Sequence, residues 1–182
     1  MKEQLALMLA PMRVGILFAI LTIIFGFGLG AAFGGFEDDL KGTLTSSAKA
    51  VLATKYNGDE AEAKKVTDKS WAYFQRAHLH ANGIATTAIA LMVVLGFMAI
   101  SPVMKSVIST CMGVGSLGYS LFWLLAGLRA PGMGSTGAAK ESLNWLAQPS
   151  VILLVGGVLL MLVVFIHGAF IRKAPQGSER TA

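Results

Sequence analysis

Four long apolar stretches dominate the chain, and segments rich in polar residues separate them. They cover approximately residues 13–33, 80–100, 104–128 and 151–171. Each is long enough to cross a hydrocarbon core of about 30 Å as a helix, which takes about 20 residues. The stretches are continuous, unlike the alternating strands of a membrane barrel. The sequence therefore predicts an all-α, polytopic membrane protein: a single membrane domain over residues 1–182, built as a four-transmembrane-helix bundle.

The first connection, residues 36–76, has a pattern that predicts a helical hairpin outside the membrane. Its apolar positions follow helical spacing from an acidic start, which suits a helix N-terminus. Asn57-Gly58 interrupts this spacing, and Asp59 is placed to cap a second helix. Because the second arm contains neither Pro nor Gly, we expect it to run unbroken into the second span.

The third connection, residues 130–137, is rich in Gly and Pro and predicts a turn. A short amphipathic segment is expected over residues 138–146. Pro149 then falls in the first turn of the last helix, where proline is tolerated. Residues 174–182 are predicted to form a flexible tail.

Composition agrees with a membrane protein. The chain is 54% hydrophobic and 14% charged, with a mean hydropathy of +0.65, whereas soluble domains carry about 25% charged residues. The net charge of +5 does not indicate nucleic-acid binding, because no basic cluster has interleaved aromatic residues. The first apolar run is longer than the about 7–15 residues of a signal peptide, so we expect a retained helix.

The charges beside the spans bear on orientation. An even number of spans places both termini on one side, and counting every Lys and Arg leaves the positive-inside rule equivocal. Arg172-Lys173 after the last span and Glu37-Asp38-Asp39 after the first favour termini on the inside. We therefore expect a bacterial inner-membrane protein with both termini inside.

All three tryptophans, Trp71, Trp123 and Trp145, fall on the loop side of the predicted spans. Tryptophan is enriched at membrane interfaces, so they are expected to lie level with one another. The alternative is that they wall a pocket beside the histidines described below.

Glycines recur every four residues in the first span, at Gly26, Gly30 and Gly34. On a helix they form one stripe that lets another backbone approach closely, the usual basis of helix association in membranes. The stripe predicts intramolecular packing, a seam for a homo-oligomer or larger membrane complex, or a groove for a flat cofactor or lipid tail. A similar stripe of small residues in the third span contains Cys111 and Gly115.

The ionisable residues at the head of the second span are the main candidates for chemistry, since such residues are costly at membrane depth. They are Arg76, His78 and His80, with Asn82 nearby. On one helix positions 78 and 80 point about 200° apart, so the pair can hold one metal ion only if the helix begins after residue 80. We expect His80, on a stripe with Gly83, to face the bundle interior and His78 to face its rim.

Other residues restrict what His80 can pair with. His167 lies late in the fourth span and is expected about 20–25 Å away, too far for both histidines to hold one haem. Tyr119 and Met112 in the third span are plausible partners for His80. The chain has no His-Glu-x-x-His motif, no phosphate-binding glycine loop and no Cys-x-x-Cys-His haem attachment.

Arg76-Ala77-His78-Leu79-His80, followed by Gly83 at the head of a membrane helix, resembles a family motif. It is similar to the His-x-His helix entry of small four-helix proteins related to subunit I of haem-copper and cbb3-type oxidases. It more loosely resembles the Ala-His-Leu helix start of hydroxyaminobenzene mutase-type membrane proteins. With only one further histidine, the chain lacks a full haem–copper centre, so the resemblance implies at most one haem b or one metal ion, with His78 or His80 as ligand.

Three functions remain open from the sequence. The first is a redox-associated membrane protein that binds haem b or a metal through His80 or His78, with Arg76 pairing a propionate. The second is a structural or assembly subunit without a site of its own. The third is a small membrane isomerase that uses one of these histidines as acid and base.

Overall fold

The computed structural model describes residues 2–171, so the expected tail at 174–182 lies outside the described residues. The described chain is helical throughout and confirms the all-α class. A 3₁₀ turn follows the first helix, and a π-helical turn at His167–Ile171 ends the described chain. The seven α-helices are α1 (Lys2–Leu9), α2 (Arg13–Ala50), α3 (Leu52–Lys55), α4 (Glu60–Phe97), α5 (Pro102–Met133), α6 (Thr136–Glu141) and α7 (Asn144–Ile166).

Four of these helices, α2, α4, α5 and α7, are long and apolar enough to cross a membrane. In the most apolar 18-residue window of α2 and of α7, only 17% of the residues are buried inside the protein. Exposed aliphatic side chains such as Ile24, Ile152 and Val163 would be unfavourable in water and are suited to contact with lipid. The protein is therefore an integral membrane protein that contacts the lipid bilayer.

The hairpin forms where α2 and α4 continue beyond the membrane, each being 38 residues long. α2 is kinked at Phe36, whose φ and ψ of −137° and 27° are not helical. At the tip, Asn57 and Gly58 have positive φ, and the Asp59 side chain accepts a hydrogen bond from the Glu62 backbone N–H at 2.9 Å. α4 then runs unbroken through the membrane, as expected from its sequence.

The hairpin does not stand alone, because α5 also extends beyond the membrane and packs against it. The Tyr56 hydroxyl donates a hydrogen bond to the Pro131 carbonyl oxygen at 2.7 Å. Around this bond lies a cluster of buried side chains from both arms, α5 and α6: Ala48, Tyr56, Ala63, Val66, Ala130 and Ala139. The extramembrane part is therefore a small helical layer with its own core.

The expected boundaries after α5 were wrong. α6 occupies 136–141 rather than 138–146, and α7 begins at Asn144, so Pro149 lies inside α7 instead of in its first turn. Buried Leu143 packs against Tyr73 and Phe122, which favours an early start for α7. Pro149 is exposed, so its ring lies away from the core.

α5 is the centre of the bundle. It packs along α2, α4 and α7, and α2 also packs along α4. By contrast, α7 makes extensive contact with α5 alone among the long helices. Helices α2, α4 and α5 thus pack on one another, and α7 packs on α5.

Glycines set the closest helix approaches. A Cβ on Gly113 of α5 would collide with the backbone of Gly15 in α2. Gly115 and Gly118 meet Leu154 and Ser150 of α7 in the same way. The small-residue stripe of the third span therefore faces α7, while the Gly15–Gly113 contact falls outside both predicted stripes.

Candidate functional site

The innermost face of α4 is a stripe of fully or almost fully buried alanines: Ala77, Ala81, Ala85 and Ala88. The two histidines flank this stripe and are both half-buried. The expectation that His80 shares an interior stripe with Gly83 was wrong. Gly83 and Thr87 are exposed, and a Cβ on Gly83 would meet nothing within 4 Å. Alanine has the smallest side chain after glycine, so its stripe permits the closest helix packing.

His78 lies against α2. Its Nδ1 is 2.8 Å from the Gly26 carbonyl oxygen, and since a carbonyl only accepts, Nδ1 must carry the proton and donate. Its Cε1 fills the notch at Gly30, where a Cβ would lie 2.8 Å away. The Phe33 ring meets it edge-on at 5.7 Å between centroids. His78 thus joins α4 to α2 and has little free space around its ring.

Asn82, one turn further along α4, fills the neighbouring notch at Gly26. Its Nδ2 donates to the His78 carbonyl oxygen at 3.1 Å. Its Oδ1 is buried and has no hydrogen-bond partner among the described residues. Side chains of α4 therefore fill the space beside two glycines of the predicted stripe, Gly26 and Gly30. Nothing lies within 4 Å of a Cβ placed on Gly34.

His80 lies on the other side of α4, against α5. Its ring centroid is 5.2 Å from that of Tyr119 and 6.3 Å from that of Trp123. Within the described chain the His80 imidazole makes no hydrogen bond, and its nitrogens are not enclosed. It is therefore the histidine that is free to bind something.

Arg76 lies one turn from His80 on the same face of α4. Its guanidinium stacks on the Trp123 ring at 4.3 Å and near the Tyr73 ring at 5.6 Å, which fixes it by cation–π attraction. The ion pairs of the described residues all lie in the hairpin, and none involves Arg76. A positive charge without a carboxylate partner thus lies beside a free imidazole.

Two cavities lie near Arg76 and His80. They lie beside α7, which packs mainly on α5 and makes little contact with α4. The lower chamber, of about 290 Å³, lies between α4 and α7 and includes His80, Gly83, Thr87, Leu91, Leu154 and Val158. The upper chamber, of about 660 Å³, lies towards the loop side and is lined by Tyr119 and Trp123 together with residues of α6 and α7. We call the two chambers the α4–α7 cleft. His80 lines the lower chamber, and its ring lies beside Tyr119 and Trp123, which line the upper one.

The structure brings together only some of the predicted site residues. His80, Arg76 and Tyr119 form one cluster, while His78 and Asn82 lie on the opposite side of α4. Met112 packs in the bundle core and is completely buried. It lies seven residues from Tyr119, about 10 Å along α5. Met112 is therefore not a partner for His80.

The sequence allowed one metal ion to be shared by His78 and His80 only if the helix began after residue 80, and this condition is not met. α4 is continuous through residues 78–80, so the two histidines cannot turn towards one ion. Among residues 2–171 no group of three His, Cys, Asp or Glu side chains is placed to hold a metal. His167 lies at the far end of the bundle, in a cavity with Phe97 and Met98, as its sequence position indicated.

The sequence interpretation missed Tyr73 and treated Trp123 mainly as an interfacial residue. The spacing of Tyr73, Arg76 and His80 places them on one helix face, and this was the available signal. The ring centroids of Trp123 and Tyr73 are 4.9 Å apart. Because Tyr73 is only two residues from Trp71 in the sequence, the two tryptophans lie at the same end of the bundle. The Trp123 indole N–H is buried without a partner among the described residues.

The chain matches no protein-family model, no curated protein and no solved structure. The case for a function therefore comes from the geometry of the cleft.

Proposed function

We propose that this small integral membrane protein is redox-associated and that the α4–α7 cleft would hold one haem b, with His80 as the residue that would bind its iron. One observation carries the proposal. Among the described residues, His80 makes no hydrogen bond and lines an apolar chamber. Arg76, which has no carboxylate partner there, lies one turn away and stacks on Trp123, a residue that lines the chamber towards the loop side. A ligand that suits this arrangement has a flat apolar body, an acidic edge and an atom that accepts an imidazole lone pair.

Haem b fits the residues better than a bare metal ion does. A protein-bound metal ion usually needs three or four side-chain ligands, and His78 and His80 face opposite sides of α4. Haem iron is already held by its macrocycle and can be bound through a single proximal histidine. The metal-ion alternative therefore has less support than haem.

Each residue of the cluster has a separate task in this proposal. His80 would bind the iron, and Arg76, which stacks on the Trp123 ring, would pair with a propionate. The aliphatic side chains Leu91, Leu154 and Val158 exclude water from the lower chamber. When bound, the haem supplies one-electron redox chemistry.

The test is the absorption spectrum of the detergent-purified protein, expressed with haem available. We expect a Soret band that His80→Ala abolishes. His78→Ala is the matched control, because it removes an imidazole two residues away that faces α2, and it should keep the band. Arg76→Gln should weaken haem binding without abolishing it. A haem retained in His80→Ala, or no Soret band in the wild type, would refute the proposal.

A second candidate function, a structural or assembly subunit, is favoured by the limited packing of α7. A helix that contacts mainly one neighbour offers a long face to another membrane protein or a second copy, and Gly34 is also open. Isolation from native membranes distinguishes the two functions. A stable partner and no haem supports assembly, whereas a monodisperse haem protein supports the first proposal.

We further propose that the protein lies in a bacterial inner membrane with both termini inside. Support comes from the acidic residues that follow Phe36 on the loop side and from Lys105 and Arg13 near the opposite end. Single cysteines in the hairpin, in a Cys111→Ser background, should react with a membrane-impermeant thiol reagent from outside intact cells. Protection of these cysteines in intact cells, with labelling after lysis, would reverse the orientation.

A further inference from the structure

The upper chamber of the α4–α7 cleft changes from charged to aliphatic along its length. At the loop side, α6 contributes Lys140 and Glu141. The first turns of α7 add the side-chain amides of Asn144 and Gln148. One turn further along α7 the chamber is lined by Ile152, which is 70% exposed. Because Asn144 and Ile152 are eight residues apart, this change takes place over about 12 Å of helix.

The two charges at the loop-side end have no partner within the part of the chain that the structure describes. Lys140 is half-buried and Glu141 is exposed. Although they are adjacent in the sequence, they do not form an ion pair, because the ion pairs of residues 2–171 all lie in the hairpin. Neither side chain makes a hydrogen bond to another described residue. A positive and a negative group therefore lie side by side, and both are free to bind a ligand.

The same chamber lies at the depth of the lipid headgroups. Tyr119 and Trp123 line it from α5, and Trp145, in the first turn of α7, is 68% exposed. Tyrosine and tryptophan are enriched where the hydrocarbon of a membrane meets the headgroups. The exposed aliphatic surface of α7 begins further into the membrane, at Val151 and Ile152. The molecules that reach this chamber most readily are therefore the lipids of the adjoining leaflet.

From these features we infer that the upper chamber binds a phospholipid whose zwitterionic headgroup carries a primary ammonium group, as in phosphatidylethanolamine. The phosphate pairs with Lys140 and the ammonium with Glu141, through charge-assisted hydrogen bonds. The amides of Asn144 and Gln148 can donate hydrogen bonds to the ester carbonyl oxygens. An acyl chain lies along Ile152, which removes apolar surface from the headgroup region.

Other headgroups fit these two charges less well. The anionic headgroup of phosphatidylglycerol would leave Glu141 unpaired beside a negative charge, which is unfavourable. The quaternary ammonium of phosphatidylcholine has no N–H to donate to that carboxylate. The inference goes beyond the proposed haem function and does not rest on it, because Lys140 and Glu141 have no part in that proposal. Arg76 and His80, in turn, do not line this chamber.

Native mass spectrometry of the detergent-purified, full-length protein tests this selectivity. The protein is titrated separately with phosphatidylethanolamine, phosphatidylcholine and phosphatidylglycerol that carry identical acyl chains. We expect phosphatidylethanolamine to bind about tenfold more tightly than the other two, since one charge-assisted hydrogen bond is enough for that ratio. Equal binding of the three lipids would indicate unspecific contact with the bilayer and would overturn the inference.

Two variants that each remove one charge locate the headgroup. In Glu141→Gln the preference for phosphatidylethanolamine over phosphatidylcholine should disappear. In Lys140→Gln the binding of all three lipids should weaken, because each of them contains a phosphate. Lys49→Gln removes an exposed charge on the hairpin and is the matched control, which should bind lipid as the wild type does. An unchanged preference in Glu141→Gln would overturn the inference.

The Soret band of the same samples reports on the haem separately. Lipid selectivity in a protein without haem would support this inference and refute the haem proposal. A haem protein without lipid selectivity would overturn this inference and leave the haem proposal intact.

Discussion

Replacement of Gly30 by leucine should destabilise the protein strongly, whereas the same replacement at Gly28 should not. A Cβ at Gly30 would lie 2.8 Å from Cε1 of His78, so the imidazole must move away from α2. That movement breaks the hydrogen bond from Nδ1 to the Gly26 carbonyl oxygen. Gly28 is exposed, and a Cβ there would meet nothing within 4 Å.

The expected magnitude follows from these two contacts. Overpacking a close contact costs about 1–3 kcal/mol, and an interhelical hydrogen bond in a membrane contributes about 0.6 kcal/mol on average. Gly30→Leu should therefore lower the free energy of unfolding by about 2–4 kcal/mol relative to Gly28→Leu. The change in helix propensity is the same at both positions and cancels in the comparison.

The assay is unfolding in mixed micelles by increasing SDS, followed by circular dichroism. A double-mutant cycle with His78→Ala sharpens it, because the ring that the leucine displaces is then absent. In that background Gly30→Leu should cost less, with a coupling energy of about 1–3 kcal/mol. Equal losses at Gly28 and Gly30, or an unchanged cost of Gly30→Leu without the imidazole, would refute the reasoning.

Three further predictions concern other contacts. Gly113→Ala should lower the melting temperature in detergent more than Gly28→Ala does, because its Cβ collides with the α2 backbone; equal melting temperatures would contradict this close approach. Tyr56→Phe should cost about 0.5–1.5 kcal/mol at neutral pH, measured by SDS unfolding, through loss of the bond to the Pro131 carbonyl. Burial, assisted by the charge of Glu62, raises the pKa of Tyr56. Since the unfolded tyrosine loses its proton near pH 10 while the folded one keeps it, wild-type stability should fall above about pH 10 more steeply than that of Tyr56→Phe. Lys105→Met should increase hydrogen exchange at the end of α4, because the lysine ammonium donates to the Gly96 carbonyl at 2.7 Å; unchanged exchange there would exclude this capping role.

The four long helices and the hairpin turn were predictable because they depend on local properties of the chain. Apolar length alone indicates a span, and Asn57-Gly58 followed by Asp59 gives a turn and a cap through backbone preference. Helix ends near α6 were not predictable in this way. There, the burial of Leu143 against residues distant in the sequence moved the start of α7.

Which face of each helix packs inward was harder to predict, since a membrane helix is apolar on every side and shows no clear amphipathic pattern. The stripe with His80 and Gly83 looked suited to close packing, but the alanine stripe beside it is what meets the other helices. The stacking of Arg76 on Trp123 could not be predicted either. It joins α4 to α5, and the sequence does not specify how each helix is rotated about its own axis.

α4 is one continuous helix that joins the extramembrane hairpin to the membrane-spanning bundle. Its 38 residues measure about 57 Å, and a regular helix of that kind transmits displacement with little bending. α2, in contrast, is not one regular helix, because Phe36 has non-helical φ and ψ. Because residues 60–97 form one helix, the second arm of the hairpin cannot change direction without also moving His78 and His80.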